Sequence, residues 1–264
     1  MTSAPTTMTR SVKLLDGAML ALSAVLGVGS IALLGAMEWI RVLRTGWTAP
    51  GVFLWDVALS FAFFLQHSGM VRRPFRERLA RTVPPRYVGA VYSIASGIVL
   101  TLVVLLWQRS EIRLFELRGV PFVLSRALSA LAGAVFVWSA ISLKGFDPLG
   151  LAPIRAHVRG RPDRPARFVV RGPYRWVRHP LYSCVILLIW SSPDMTADRL
   201  LFDVLWTAWI CAGAVWEERD LTAQFGEAYR NYQRQVPMLV PWRGPAARWP
   251  EVASEAPTSR SRTT

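Results

Sequence analysis

Apolar residues run in long, nearly unbroken blocks along this chain, and polar residues gather in the gaps between them. About 20 consecutive apolar residues carry a helix across the ~30 Å hydrocarbon core of a bilayer. The blocks therefore predict membrane helices at Gly17–Ile40, Val52–Leu65, Tyr87–Trp107, Val120–Leu143, Pro180–Trp190 and Leu200–Trp216. The fifth is short. From Pro180 to Ser192 a helix is only about 20 Å long, so it either thins the bilayer or pairs with the sixth as a buried hairpin. The first block follows Arg10 and Lys13 and outruns the ~7–15 residues of a signal-peptide core, so it reads as an uncleaved span.

Charge orients these spans. The 264 residues carry a net charge of +14. The basic residues do not form a nucleic-acid-binding motif; they alternate from gap to gap. With the N-terminus inside, 24 of the 31 Lys and Arg residues face the cytoplasm and 7 face outward. This is the asymmetry that sets membrane topology, and it places both termini inside. A bacterial inner membrane is the expected location, the bilayer the expected partner, and nucleic acid is not expected.

The expected architecture is all-α: a polytopic transmembrane bundle of about six segments followed by a C-terminal interfacial helix. Four-helix packing is expected over 12–143 and a ligand-binding core over 144–242. Residues 1–11 and 243–264, rich in Ser, Thr, Pro and Ala, are expected to be disordered. No internal repeat argues for a duplicated transporter, and Asp203 is the one acid noted inside a span. Cys184 and Cys211 lie in apolar blocks without a CxxC pair, so neither a disulfide framework nor a metal site is expected.

Candidate chemistry clusters at the inner ends of the helices. Within RGPYRWVRHPLY, Pro180 suits a first helical turn. That puts His179 at the positive mouth of the helix with Arg175 and Arg178, where an anion is stabilised. Tyr182 falls one turn on, and Tyr174 and Trp176 also suit a headgroup belt. After the sixth block come Glu217 and Glu218, acids at a helix C-terminus where the dipole disfavours them. They read either as a site for a cationic ligand or as an interfacial pair. Asp220–Gln235 reads as an interfacial helix, with Phe225, Tyr229 and Tyr232 on the membrane surface. His67, in a Gln66–His67–Ser68 triplet ending the second block, is a candidate base or a snorkelling polar end. His157 is expected in solvent, and Asp147 is expected to shape its loop. A haem or quinone carrier using His67 and His179, or a non-enzymatic assembly factor, also remains open at this point.

The order GPYRWVRHPLY, short hairpin, EERDL and FGEAYRNYQRQVPMLVP resembles the isoprenylcysteine carboxyl methyltransferase superfamily over about residues 165–242. LQHSGMVRRPF, VPPRY and PDMTADRLLF look most like its methanethiol S-methyltransferase branch. The chain departs from that branch at Asp198 and Arg199, where Gly-His is common, and at Ser183, where Gly is common. These departures bear on the acceptor more than on the donor. The resemblance implies an integral membrane enzyme that uses S-adenosylmethionine, with a small thiol or a lipophilic molecule as acceptor. Isoprenylcysteine carboxyl and phospholipid methylation are the alternatives. Carried over by position, Tyr174, Arg178, His179, Tyr182, Glu217 and Glu218 would hold the cofactor. His67 would be the catalytic base.

Overall fold

The computed structural model describes residues 10–37, 40, 45–143, 147–161, 167–247 and 252–253. Most of the segments expected to be disordered lie outside these residues, as do Arg41, Arg44, Lys144 and Arg164. Eight helices carry the described chain: α1 (Arg10–Gly35), α2 (Ala49–Val71), α3 (Arg73–Leu79), α4 (Val88–Leu106), α5 (Val120–Ser142), α6 (Ala152–Val158), α7 (Pro180–Trp190) and α8 (Ala197–Gln235). Five of them are long and apolar enough to cross a membrane, α4 counting the Pro85–Tyr87 turn that leads into it; α7 is apolar but short. The protein is an integral membrane protein with the expected helical architecture. The chain divides into two compact units, residues 1–108 with 147–163, and residues 109–146 with 164–264.

In the first unit α1 packs along α4, and α2 lies against α4. Apolar side chains gain little by leaving lipid for one another, so small residues that let backbones touch drive this packing. Gly97 on α4 shows it: a Cβ there would stand 2.5 Å from the carbonyl oxygen of Leu26 on α1. Buried Ser23 and Ser30 on α1 and Ser93 and Ser96 on α4 serve the same close approach. Asp56, fully buried on α2, accepts the backbone N–H of Gln108 at 2.9 Å, and Trp55 donates to the carbonyl of Leu106 at 3.0 Å. Asp16, also fully buried, accepts the Tyr87 hydroxyl at 2.5 Å and faces Arg86 at 3.4 Å. Acids inside the apolar helices are thus more numerous than Asp203 alone, and these two are tied to local donors. Asp147 caps α6 through the N–H groups of Leu151 and Ala152. His157 is partly exposed, 3.9 Å from Asp16.

The second unit holds α5, α7 and α8, with α7 packed on both of the others. It adds β structure that the apolar pattern does not announce. β1 (Arg113–Glu116) pairs antiparallel with β3 (Asp194–Thr196), and β2 (Arg167–Phe168) with β4 (Val252–Ala253). These pairings are too short for alternation to register.

The eleven-residue α7 ends early, and its last carbonyls would be orphaned in an apolar layer, which costs several kcal/mol per group. Neighbours satisfy them. Ser125 of α5 donates to the carbonyl of Ser191 at 2.5 Å, and Arg199 of α8 donates to that of Ile189 at 2.7 Å. Past Trp242 the chain is still held, because Ala246 exchanges hydrogen bonds with the backbone and side chain of Arg175.

Candidate functional site

α8 is not one straight rod. At Gly226 the backbone takes φ 55° and ψ −130°, a conformation essentially confined to glycine. The chain turns there, and the nine residues after it run back beside the helix they came from. Phe225, Tyr229, Tyr232 and Val236 recur at helical spacing and bury their side chains against Phe168, Val170 and Tyr174. The aromatic residues expected on the membrane surface are therefore the core of this corner; Tyr229 is only 2% exposed. The phenol of Tyr232 donates to the carbonyl of Tyr174 at 2.6 Å. Burial first, then the nearby Glu217 and Cys184, pushes the Tyr174 phenol well above its ordinary pKa.

The fold-back assembles a polar cluster around Glu218. This carboxylate takes four hydrogen bonds. Arg178 gives two, from Nε at 2.5 Å and Nη2 at 3.1 Å, Gln233 gives one at 2.9 Å, and His179 Nε2 lies at 3.1 Å. Because an ionised carboxylate only accepts, Nε2 of His179 carries the proton. The third nitrogen of Arg178, Nη1, donates to the carbonyls of Gln233 and Val236. Arg178 and Glu218 are each about nine-tenths buried, 11% exposed at their side chains. Burying one such ion alone would cost several kcal/mol, and a bidentate pair with every guanidinium nitrogen engaged offsets that. Arg178 is thus a clasp that fastens the chain after Gly226 to the start of α7. The backbone N–H groups of Arg178 and His179 extend the clasp to the carbonyls of Pro237 and Met238.

His179 is the N-cap residue of α7, as the Pro180 signal predicts. Its ring stacks flat on Tyr182, with centroids 5.3 Å apart and planes at 6°. Nδ1 lies 3.7 Å from Glu217 and Nε2 faces Glu218, so both ring nitrogens are turned to carboxylates rather than offered to a haem iron. Glu217 is nearly half exposed, at 47%, and accepts the Tyr182 hydroxyl at 2.8 Å. Neither acid sits at a helix end. The helix continues to Phe225, so the dipole misfit read from the sequence does not arise.

An open groove of about 490 Å³ runs beside this cluster, lined by Val215, Glu218, Arg219, Thr222, Arg230 and Gln233. It presents the Glu218 carboxylate and the Arg219 and Arg230 guanidinium groups a few residues apart, the pairing that a zwitterionic amino-acid group requires. Arg178, His179, Tyr182, Glu217 and Glu218 are brought together here, and Tyr174 lies in the aromatic core that supports them. Sequence reasoning missed Gln233, Thr222, Arg219 and Arg230. The available signal was Gly226, a lone glycine inside a helical run.

His67 belongs to the first unit. It sits in the last turns of α2 between Phe63, at 5.0 Å centroid distance, and Tyr92 of α4, whose hydroxyl is 3.0 Å from Nε2. Beside it Gln66 donates to Ser96 at 3.3 Å.

Known proteins resemble the chain across both units. A family model described as NnrU protein matches residues 56–238. A methanethiol S-methyltransferase from a Pseudomonas species is 36% identical over 84% of this chain and 85% of its own length. One from Mycobacterium tuberculosis is 34% identical over 71% of this chain and 77% of its own. Nurim from Rattus norvegicus is more distant, 25% identical over 72% of this chain and 78% of its own. No solved structure matches the chain. The extent of the family match and the identity to its methanethiol S-methyltransferase relatives lead to one assignment: the chain belongs to the NnrU protein family, within the membrane methyltransferase branch its sequence motifs resemble.

Proposed function

We propose that the protein is a membrane-embedded methyltransferase that transfers a methyl group from S-adenosylmethionine to a small thiol of the methanethiol kind. The reaction takes place at the cytoplasmic face of a bacterial inner membrane, with both chain termini on that side. The observation that carries this reading is the Glu217–Glu218 cluster beside the groove, in a chain whose relatives include several thiol methyltransferases.

The groove fits the donor by the chemistry of its groups. Glu217, next to the lining residue Glu218 and accepting one hydrogen bond from Tyr182, keeps lone pairs for an ammonium or a ribose hydroxyl. Arg219 is exposed in the groove and suits a carboxylate. Arg178 and His179 hold Glu218 in place, so that its geometry is fixed before any ligand arrives. Tyr174 supports them from the core.

Bound here, the sulfonium supplies an electrophilic methyl group. The protein's part is to align the nucleophile with it and exclude water, worth up to ~7–11 kcal/mol in well-oriented cases. The sulfonium charge vanishes during transfer, so carboxylates pressed against sulfur would stabilise the ground state more than the transition state. The acids accordingly grip the periphery, and aromatic faces such as Tyr182 and Trp216 suit the sulfur. A thiol reacts as its thiolate, and His67 is the proposed base.

Isothermal titration of the detergent-purified protein with S-adenosylmethionine and S-adenosylhomocysteine tests the reading, with headspace detection of the methylated thiol. Saturable binding weakened by Glu217→Gln, together with thioether formation, is the expected result. A folded protein that binds neither ligand would overturn it.

A further inference from the structure

The second unit contains a cavity separate from the polar groove. It is about 600 Å³ and almost wholly apolar. Leu131, Ala132 and Trp138 of α5, Leu187 of α7 and Cys211 of α8 form its walls. Its lining includes Val177 and Pro180, the residues that flank Arg178 and His179, and Ser183 one turn further along α7. The cavity therefore reaches the same helix mouth whose other side carries the glutamate cluster.

Its size is out of proportion to the acceptor. Methanethiol has two heavy atoms, and at about 30 Å³ each, the share of a water molecule in its liquid, it would occupy about a tenth of this volume. Apolar cavities of about 300–1,000 Å³ with few polar groups are the usual sites of larger organic ligands. A linear thiol of about ten carbons, counted in the same way, fills roughly half of it. Ser183 gives its hydroxyl to the carbonyls of His179 and Leu239, so the wall nearest the helix mouth offers no spare polar group that would reject an alkyl chain.

We infer that this cavity is the tail site for a lipophilic acceptor, and that the protein methylates medium-chain alkyl thiols as well as small ones. This rests on the thiol methyltransferase reading and extends it to the substrate class. The alkyl chain lies between α5, α7 and α8, and the sulfur lies toward Val177 and Pro180. The thiol gives its proton to the proposed base His67, the thiolate forms a new S–CH₃ bond, and the sulfonium S–CH₃ bond breaks with its electron pair left on the departing sulfur. The products are an alkyl methyl sulfide and S-adenosylhomocysteine.

The test compares n-alkyl thiols from methanethiol to dodecanethiol with the full chain in nanodiscs, for wild type and for Ala132→Phe and Leu131→Trp. Leu131 is 60% exposed, so its replacement is tolerated by the fold even if that of buried Ala132 is not. The ratio of wild-type to variant kcat/KM cancels the partition of each thiol into the bilayer. It should stay near one for methanethiol and rise to tenfold or more by decanethiol. As a second readout, decyl methyl sulfide should protect Cys211 from N-ethylmaleimide, read by peptide mass spectrometry. A ratio that is flat with chain length, or methanethiol turnover without decanethiol turnover, overturns the inference and leaves the small-thiol reading standing. If no thiol of any length is methylated, the methyltransferase reading fails instead, and the labelling alone decides whether the cavity binds an alkyl chain.

Discussion

Glu218 and Gln233 are fifteen positions apart in one helical element, yet their side chains are hydrogen-bonded at 2.9 Å. A straight helix would hold them about 22 Å apart. The turn at Gly226 removes that distance. Gly226→Ala forces a Cβ into a backbone conformation that costs about 1–3 kcal/mol for other residues. The expected outcome is a lower melting temperature in detergent and a loss of donor affinity, measured by titration at a temperature where the variant is still folded.

Removing the charge at Glu218 acts on the fold before it acts on chemistry. Glu218→Gln leaves the buried Arg178 guanidinium without its counter-ion, a change that costs about 3–5 kcal/mol in buried pairs. The variant should be strongly destabilised. Arg178→Lys should be nearly as damaging, because an ammonium cannot reproduce the bidentate contact. Melting curves of the two single variants and the double variant check this: the double should lose less than the sum of the singles.

Glu217 should separate binding from stability. It is half exposed and bonded only laterally, so Glu217→Gln should leave the melting temperature within about a degree or two. A hydrogen bond to a charged group is worth about 1.5–3 kcal/mol, so affinity for the donor should fall about 10- to 100-fold. Tyr182→Phe, which frees Glu217 from its hydrogen bond and keeps the stack on His179, should change affinity much less. Calorimetry on both variants distinguishes them.

If His67 removes the thiol proton, His67→Ala lowers kcat by about 100-fold or more, the usual contribution of a positioned base, and leaves the dissociation constant for S-adenosylmethionine unchanged. Tyr92→Phe should fall between the two, since its hydroxyl orients the ring. Equal losses in turnover and donor affinity would count against the role.

Tyr174 makes the stability pH-dependent on the alkaline side. Burial holds its phenol above the unfolded value of about 10. A group with a raised folded pKa contributes fully below the unfolded pKa and loses that contribution as pH rises past it. Stability should therefore decline above about pH 10, by up to ~1.4 kcal/mol per pH unit for this one proton. Tyr174→Phe should flatten the slope by that amount, as seen in urea midpoints measured from pH 9 to 11.

The apolar blocks made the spans legible, because a helix in lipid satisfies its own backbone and needs little else. Pro180 likewise announced the start of α7 and put His179 at its mouth. Other features were hidden because they depend on partners distant in the chain. Nothing local to Phe225, Tyr229 or Tyr232 says that Phe168 and Tyr174 will cover them. The same aromatic spacing suits a membrane surface. Arg178 looked like a ligand for anions, and only its contacts with Glu218, Gln233 and Val236 show its donors committed within the chain. Glu217 and Glu218 were found, but for a reason the continuing helix removes. The β1–β3 ribbon left no trace because Asp194–Thr196 is three residues long.

The clasp on Arg178 also imposes an order of events during synthesis. Its partners lie 40 to 58 residues further along the chain. α7 must therefore enter the membrane with its guanidinium held only by water or headgroups, and the groove beside Glu218 lacks the wall formed by Arg230 and Gln233 until those residues have left the ribosome. A nascent chain halted before that point carries Glu217 and Glu218 without the segment that encloses them. The cluster around Glu218 is completed late, when the returning segment reaches the helix made well before it.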